Sequence, residues 1–252
     1  MSQKHSCNYK LTLAYDGTRY SGWQVQPNAL SIQEVLESAL EKLLGKRPKL
    51  QSSGRTDAGV HAYQQVATMK TETPLDIDMV HYKLSCMLPK DITVYEIEEV
   101  PLDFHARFSA KGKVYTYFVH TSRCVDPFTE KFRTHIRFHL DIDAMRRAAK
   151  EFEGTHDFTS FANEAHKGSA KHSPVKTIYS ISIEEIQGGL SFTFHGNGFL
   201  YKMVRNIMGA LLRVGTGKLQ ADDIPRIFDS KDRRQAPMAA SPKGLFLSKV
   251  EY

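Results

Sequence analysis

The chain has 252 residues, with 34 Lys plus Arg against 28 Asp plus Glu, a net charge of +6, 41% hydrophobic and 25% charged residues. This is the balance of a soluble globular protein, long enough for one large core or two small ones. No apolar run approaches the ~18 residues of a membrane span, and the first residues lack the apolar stretch of a secretory signal, so neither secretion nor membrane insertion is expected; three widely spaced cysteines suit a reducing cytoplasm.

Near the N-terminus Tyr9, Leu11, Leu13 and Tyr15 alternate with other residues, which predicts a strand with one buried face. Residues 16–28 are rich in Gly, Gln and Pro and read as a loop. Ser31, three residues before Glu34, forms a capping box ahead of Ile32, Val35, Leu36, Ala39, Leu40, Leu43 and Leu44, and Gly45 closes that helix. Short strands are expected over residues 49–53 and 64–70, a helix over 76–87 ended by Pro89, and a β-branched strand over 92–100 that stops at Pro101. The order β-α-β-β-α-β is that of a ferredoxin-like unit.

The second half repeats the style. Strands are predicted at 114–120 and 133–139, then a helix opened by Asp141 and carrying Met145, Ala148, Ala149 and Phe152. Strands at 178–184 and 190–195 precede a long helix over 200–214, a short one over 221–229 and a last strand over 245–252. The expected fold is α+β: two ferredoxin-like, RNP-like subdomains, residues 1–104 and 105–252, sharing an extended mainly antiparallel sheet with helices on one face. The 162–175 stretch, with His166, Lys167, Gly168, Ser169, Lys171 and His172, reads as an exposed flexible loop.

Cys7, Cys86 and Cys124 are odd in number and widely spaced, and the 11 histidines show no HxH or HExxH spacing. Neither a disulfide framework nor a zinc site is indicated. The basic balance suits a polyanionic partner such as RNA or DNA.

One stretch stands apart: Ser53-Gly54-Arg55-Thr56-Asp57-Ala58-Gly59-Val60-His61-Ala62. As bare composition it reads as a tight turn, with Asp57 capping the backbone and Arg55 paired to it, since Asp and Gly dominate ordinary turns. The lesser alternative on composition alone is a carboxylate between two glycines that meets a substrate as nucleophile or general base.

GRTDAGVHA resembles the signature of the TruA-type tRNA pseudouridine synthases, and five further segments in the same order resemble that family. Upstream stands YDGTRYSGWQ, residues 15–24; downstream stand FHARFSA, residues 104–110, with Tyr115 and Tyr117, and GTHDFTSF, residues 154–161. NGFLYKMVRNI, residues 197–207, and Gly244-Leu245 complete the set. One departure is Ala239-Ala240-Ser241-Pro242-Lys243-Gly244-Leu245, where the family commonly has a TAPxxGL-like run; here the Thr is absent and the Pro shifted.

The resemblance implies an isomerase that detaches a uridine base from its N1–C1′ bond, turns it and rejoins it through C5. Its target would be positions 38, 39 and 40 of the tRNA anticodon stem-loop, with no metal or organic cofactor. It implies a homodimer, and it gives Asp57 the role of catalytic carboxylate, with Arg205 as its cationic partner. Tyr115 would stack on the target base, a role suited to a flat aromatic, leaving Tyr117 as a core tyrosine. Arg55 would enter the RNA helix or hold a phosphate, with a structural pairing to Asp57 as the alternative, and Leu245 would line the base pocket.

Arg19, Tyr20, Trp23 and Gln24 lie in a loop able to meet the RNA backbone, though the stronger reading is that Trp23 packs over the sheet. His61 and His156 are expected to be hydrogen-bonded structural residues. Glycosidic attack and addition to the base both remain open. A catalytically idle tRNA-binding protein on the same fold is the alternative function, against which Asp57, Tyr115 and Arg205 all stand. An RRM-type module lacks its required RNP1-like run here.

Overall fold

The computed structural model describes residues 7–163 and 173–252. His166, Lys167, Gly168, Ser169, Lys171 and His172 lie outside the described residues. The chain forms two compact units: Met1–Lys111 with Leu247–Tyr252, and Gly112–Phe246.

The first unit contains β1 (Cys7–Tyr15), α1 (Ile32–Leu44), β2 (Gln51–Ser52), β3 (His61–Thr71), α2 (Ile77–Met87) and β4 (Ile92–Val100). β1 lies between β4 and β3, antiparallel to both, with Leu11 opposite Ala67 on one side and Ile97 on the other. β2 pairs with the far side of β3 over two residues. This is the expected β-α-β-β-α-β unit. Tyr9, Leu11, Leu13 and Tyr15 are all buried, but so are Asn8 and Thr12, so β1 is enclosed on both faces rather than one. Ser31 Oγ accepts from the Glu34 N–H at 3.2 Å, and Gly45 ends α1 with a left-handed φ of 70°. Both caps act as the sequence indicates.

The second unit contains β5 (Gly112–His120), β6 (Thr134–His135), α3 (Ile142–Lys150), β7 (Gly154–Asp157), β8 (Val175–Ile186) and β9 (Gly189–Gly196). It continues through α4 (Met203–Gly215) and α5 (Asp223–Ser230), and β10 (Leu245–Glu251) begins in it. β5, β9, β8 and β7 follow one another, each neighbouring pair antiparallel, with Tyr115 opposite Phe194 and Tyr117 opposite Phe192. The α+β class with mainly antiparallel pairing is therefore as expected.

The structure departs from these expectations at four points. The strand predicted over 133–139 shrinks to β6, two residues parallel to the end of β5. Its last register pair is His120 with His135, where β5 itself stops and offers nothing further to pair with. β7 was not foreseen. It is a four-residue strand, too short for its alternation to show, and it exists through pairing to β8. α4 starts three residues late because Lys202 takes a left-handed φ of 59°, which breaks any helix from residue 200. Phe152 falls beyond α3 yet remains fully buried, with its ring edge-on to Phe161 at 4.9 Å.

Candidate active site

The residues from Ser53 to Val60 join β2 to β3 and are shaped from three sides. The Ser53 N–H donates to the Val66 carbonyl at 2.7 Å, and the Val60 N–H closes a turn on the Asp57 carbonyl at 3.1 Å. Gly59 is the third residue of that turn and has φ 75°, the left-handed geometry that selects glycine there. Asp57 thus stands first in a tight turn, half-buried, on a loop whose Thr56 and Val60 are buried.

The second side is backbone packed on backbone. Thr56 O accepts from the Trp23 N–H at 3.1 Å, and the Gly59 N–H donates to Tyr20 O at 3.2 Å. A Cβ on Gly22, whose φ is 90°, would stand 2.5 Å from Thr56 O, and one on Gly17 only 2.0 Å from Val60 O. These two glycines let the chains approach as no other residue would. The 15–24 segment is in turn held to α1. Gly22 O and Trp23 O accept from the Ile32 and Gln33 N–H groups at 3.2 and 3.0 Å, donors of the helix's first turn that the helix itself leaves unpaired.

The packed alternative for Trp23 holds, and Tyr20 shares it. Both are buried, and the Trp23 ring leans on Tyr15 with centroids 6.2 Å apart. The Tyr20 hydroxyl donates to Asp91 Oδ1 at 2.7 Å. Arg19 is exposed, with its Nε donating to Asp91 Oδ2 at 2.9 Å. The segment is the socket of the Asp57 loop.

The third side is a buried polar network that sequence reasoning missed. Gln65 is fully buried. Its Oε1 accepts from the Ser53 hydroxyl at 2.7 Å and the Val66 N–H at 3.1 Å. Its Nε2 donates to Gly54 O at 2.9 Å and to the Tyr15 hydroxyl at 3.4 Å. Tyr15 in turn lies 2.8 Å from Thr56 Oγ1, and burial pushes its phenol up to about 12. The only advance signal was a glutamine inside a predicted strand.

His61 is fully buried, with Nδ1 accepting from the Gly17 N–H at 3.1 Å. His156 stacks on Phe228 at 4.8 Å, its Nε2 2.8 Å from Glu153 O. Both are structural, as expected. Arg55 is exposed and makes no ion pair among the described residues, so the turn reading that tied it to Asp57 finds no support there.

The second unit carries the remaining candidates. Tyr115, on β5, is nearly buried, edge-on to Phe199 at 5.2 Å. Tyr117 is fully buried, the core role expected of it. Its hydroxyl donates to Ser241 O at 2.8 Å and lies 2.7 Å from Thr134 Oγ1. Burial pushes Tyr117 up to about 12, against the Thr134 hydrogen bond and the Arg205 charge, which both pull it down.

Arg205, in the first turn of α4, brackets residue 240. Its Nε donates to Ala240 O and its carbonyl accepts from the Ala240 N–H, both at 2.8 Å. Leu245 is buried just after Gly244, where a Cβ would stand 2.4 Å from Phe118 O. The run with the altered Thr and Pro is thus pinned by Arg205, Tyr117 and Gly244. Asn206, fully buried, was also missed. Its Nδ2 donates to Phe161 O at 2.8 Å and its Oδ1 accepts from Arg233 Nη2 at 2.8 Å.

A carboxylate on a rigid loop, in a chain with a second unit holding an arginine and a tyrosine in fixed settings, suits covalent or base catalysis on a large anionic substrate. A family model described as tRNA pseudouridine synthase matches residues 12–109 and 148–252. The chain belongs to that family, in its TruA-type branch, and is an isomerase that acts on tRNA. A protein named tRNA pseudouridine synthase A 1 from Protochlamydia amoebophila is 49% identical over 245 residues, 97% of this chain and 96% of that one. Those named tRNA pseudouridine synthase A from Acetivibrio thermocellus and tRNA pseudouridine synthase A 2 from Bacillus anthracis are 43% and 41% identical. Each match covers 97% of this chain and 99% of the relative.

Proposed function

We propose that this enzyme isomerises uridines 38, 39 and 40 of the tRNA anticodon stem-loop, with the Asp57 carboxylate as nucleophile. The observation that carries the reading is the setting of Asp57, on a loop docked backbone to backbone against Gly17 and Gly22. A loop held this way presents its carboxylate without ordering cost at the moment of reaction. The N1–C1′ bond breaks and a C1′–C5 bond forms; the C5 proton leaves to solvent and N1 gains one.

The family resemblance assigns Tyr115 to the target base and Arg205 to the catalytic carboxylate. Leu245 borders the base, and the exposed Arg55 meets RNA. The enzyme works as a cytoplasmic homodimer without a cofactor. The net charge of +6 suits an RNA substrate; among the described residues no helix is long and apolar enough to cross a membrane.

Tritium release from tRNA labelled at uridine C5 tests the reading, because joining C1′ to C5 must expel that hydrogen. Release by the wild type and none by Asp57→Asn is expected. Wild-type protein that binds tRNA yet releases nothing from a full tRNA pool would overturn it. Arg205→Lys is expected to lower release at least tenfold, because an ammonium cannot reproduce the planar fork that also holds Ala240. Wild-type release by that variant would remove Arg205 from the site.

A further inference from the structure

We infer that Gln65 is a positioning residue for Asp57, acting through Tyr15 and Thr56. The inference rests on the catalytic reading of Asp57. Gln65 has two amide donors and a carbonyl with two acceptor positions, and all four are used inside the first unit. Its orientation is fixed by its partners. The Val66 N–H can only donate and the Gly54 carbonyl can only accept, so a flipped amide would face donor against donor and acceptor against acceptor.

That orientation gives the network a direction. Nε2 donates to the Tyr15 oxygen, so the Tyr15 proton is directed at Thr56 Oγ1, 2.8 Å away. The raised Tyr15 phenol keeps that proton throughout the working pH range. Through one side chain, Gln65 therefore holds Ser53 and Gly54 where the loop begins, and through Tyr15 it holds Thr56, the residue just before Asp57. Nothing in the network is exposed enough to meet tRNA: Tyr15, Ser53, Thr56 and Gln65 are all buried. Its effect on the reaction is confined to where Asp57 points.

Gln65→Leu would remove four hydrogen bonds at once, most of them buried, and risks unfolding, so the test removes single hydroxyls. Tyr15→Phe, Thr56→Val and Thr56→Ser are compared with wild type for single-turnover tritium release and for tRNA affinity, well below each variant's melting temperature. Tyr15→Phe and Thr56→Val are expected to slow release at least tenfold with tRNA affinity within threefold of wild type. Thr56→Ser, which keeps the hydroxyl, should stay within threefold on both. The double variant Tyr15→Phe/Thr56→Val should be no slower than the slower single one, because both delete the same hydrogen bond.

Wild-type release by Tyr15→Phe and Thr56→Val would overturn the inference, as would an equal loss in Thr56→Ser or a loss explained by weaker binding. Asp57→Asn is assayed beside them. If it stays active, the catalytic reading falls whatever Tyr15 does. If it is inactive while Tyr15→Phe is normal, only the positioning role falls.

Discussion

Asp57→Asn is expected to reduce isomerisation by on the order of 10⁴-fold or more, the scale at which a lost nucleophile or base acts, while tRNA affinity and melting temperature stay near wild type. The argument lies in what holds the loop. Its turn is closed by the Asp57 carbonyl, and its docking uses the Thr56 carbonyl and the Gly59 N–H. All of these are main-chain groups that Asn leaves in place. From beneath, the loop is held by Thr56, Gly54 and Ser53. Asn therefore changes the chemistry of one half-buried side chain and leaves this main-chain frame standing. Tritium release within tenfold of wild type, with normal binding, would remove Asp57 from the nucleophile's role.

What the sequence disclosed follows from which forces were local. The caps of α1 are local, Ser31 to Glu34 at one end and Gly45 at the other, and its limits were legible almost to the residue. β4, ended by Pro101, was legible for the same reason. β6 and β7 owe their limits to partners, namely the end of β5 and the edge of β8, and no short-range pattern carries that. The left-handed Lys202 is similar, since its cost is borne by surrounding structure and nothing in its neighbours announces it.

The site divides in the same way. Asp57 was singled out by resemblance, since its loop's composition alone favoured an ordinary turn, and the part played by YDGTRYSGWQ was only half legible. Packing of Trp23 was the stronger reading there and it holds, but the close approach is made by the glycines, whose part is to have no side chain. Gln65 and Asn206 were passed over because a buried amide becomes visible only once its partners are brought to it from distant positions, such as Tyr15 fifty residues earlier.

The glycine reading makes a sharp demand on Gly17. In Gly17→Ala the new methyl would stand 2.0 Å from the Val60 oxygen and 2.7 Å from its carbon, so main chain must move by about 1 Å. Val60 passes that shift to Asp57 through the turn hydrogen bond between them. Misplacement of that size costs roughly 10²-fold in rate, and the overpacking should lower the melting temperature by about 5 °C.

Gly45→Ala separates the two effects. Gly45 also has a left-handed φ, 70°, but a Cβ there meets nothing within 4 Å. Alanine at that position bears conformational strain of about 1 kcal/mol with no displacement of the loop, so it should melt a few degrees early and release tritium at the wild-type rate. Equal rates in the two variants would mean that the loop tolerates movement of Val60, and that backbone docking sets stability alone. A hundredfold gap between variants of similar melting temperature would assign the close approach at Gly17 to the aim of Asp57.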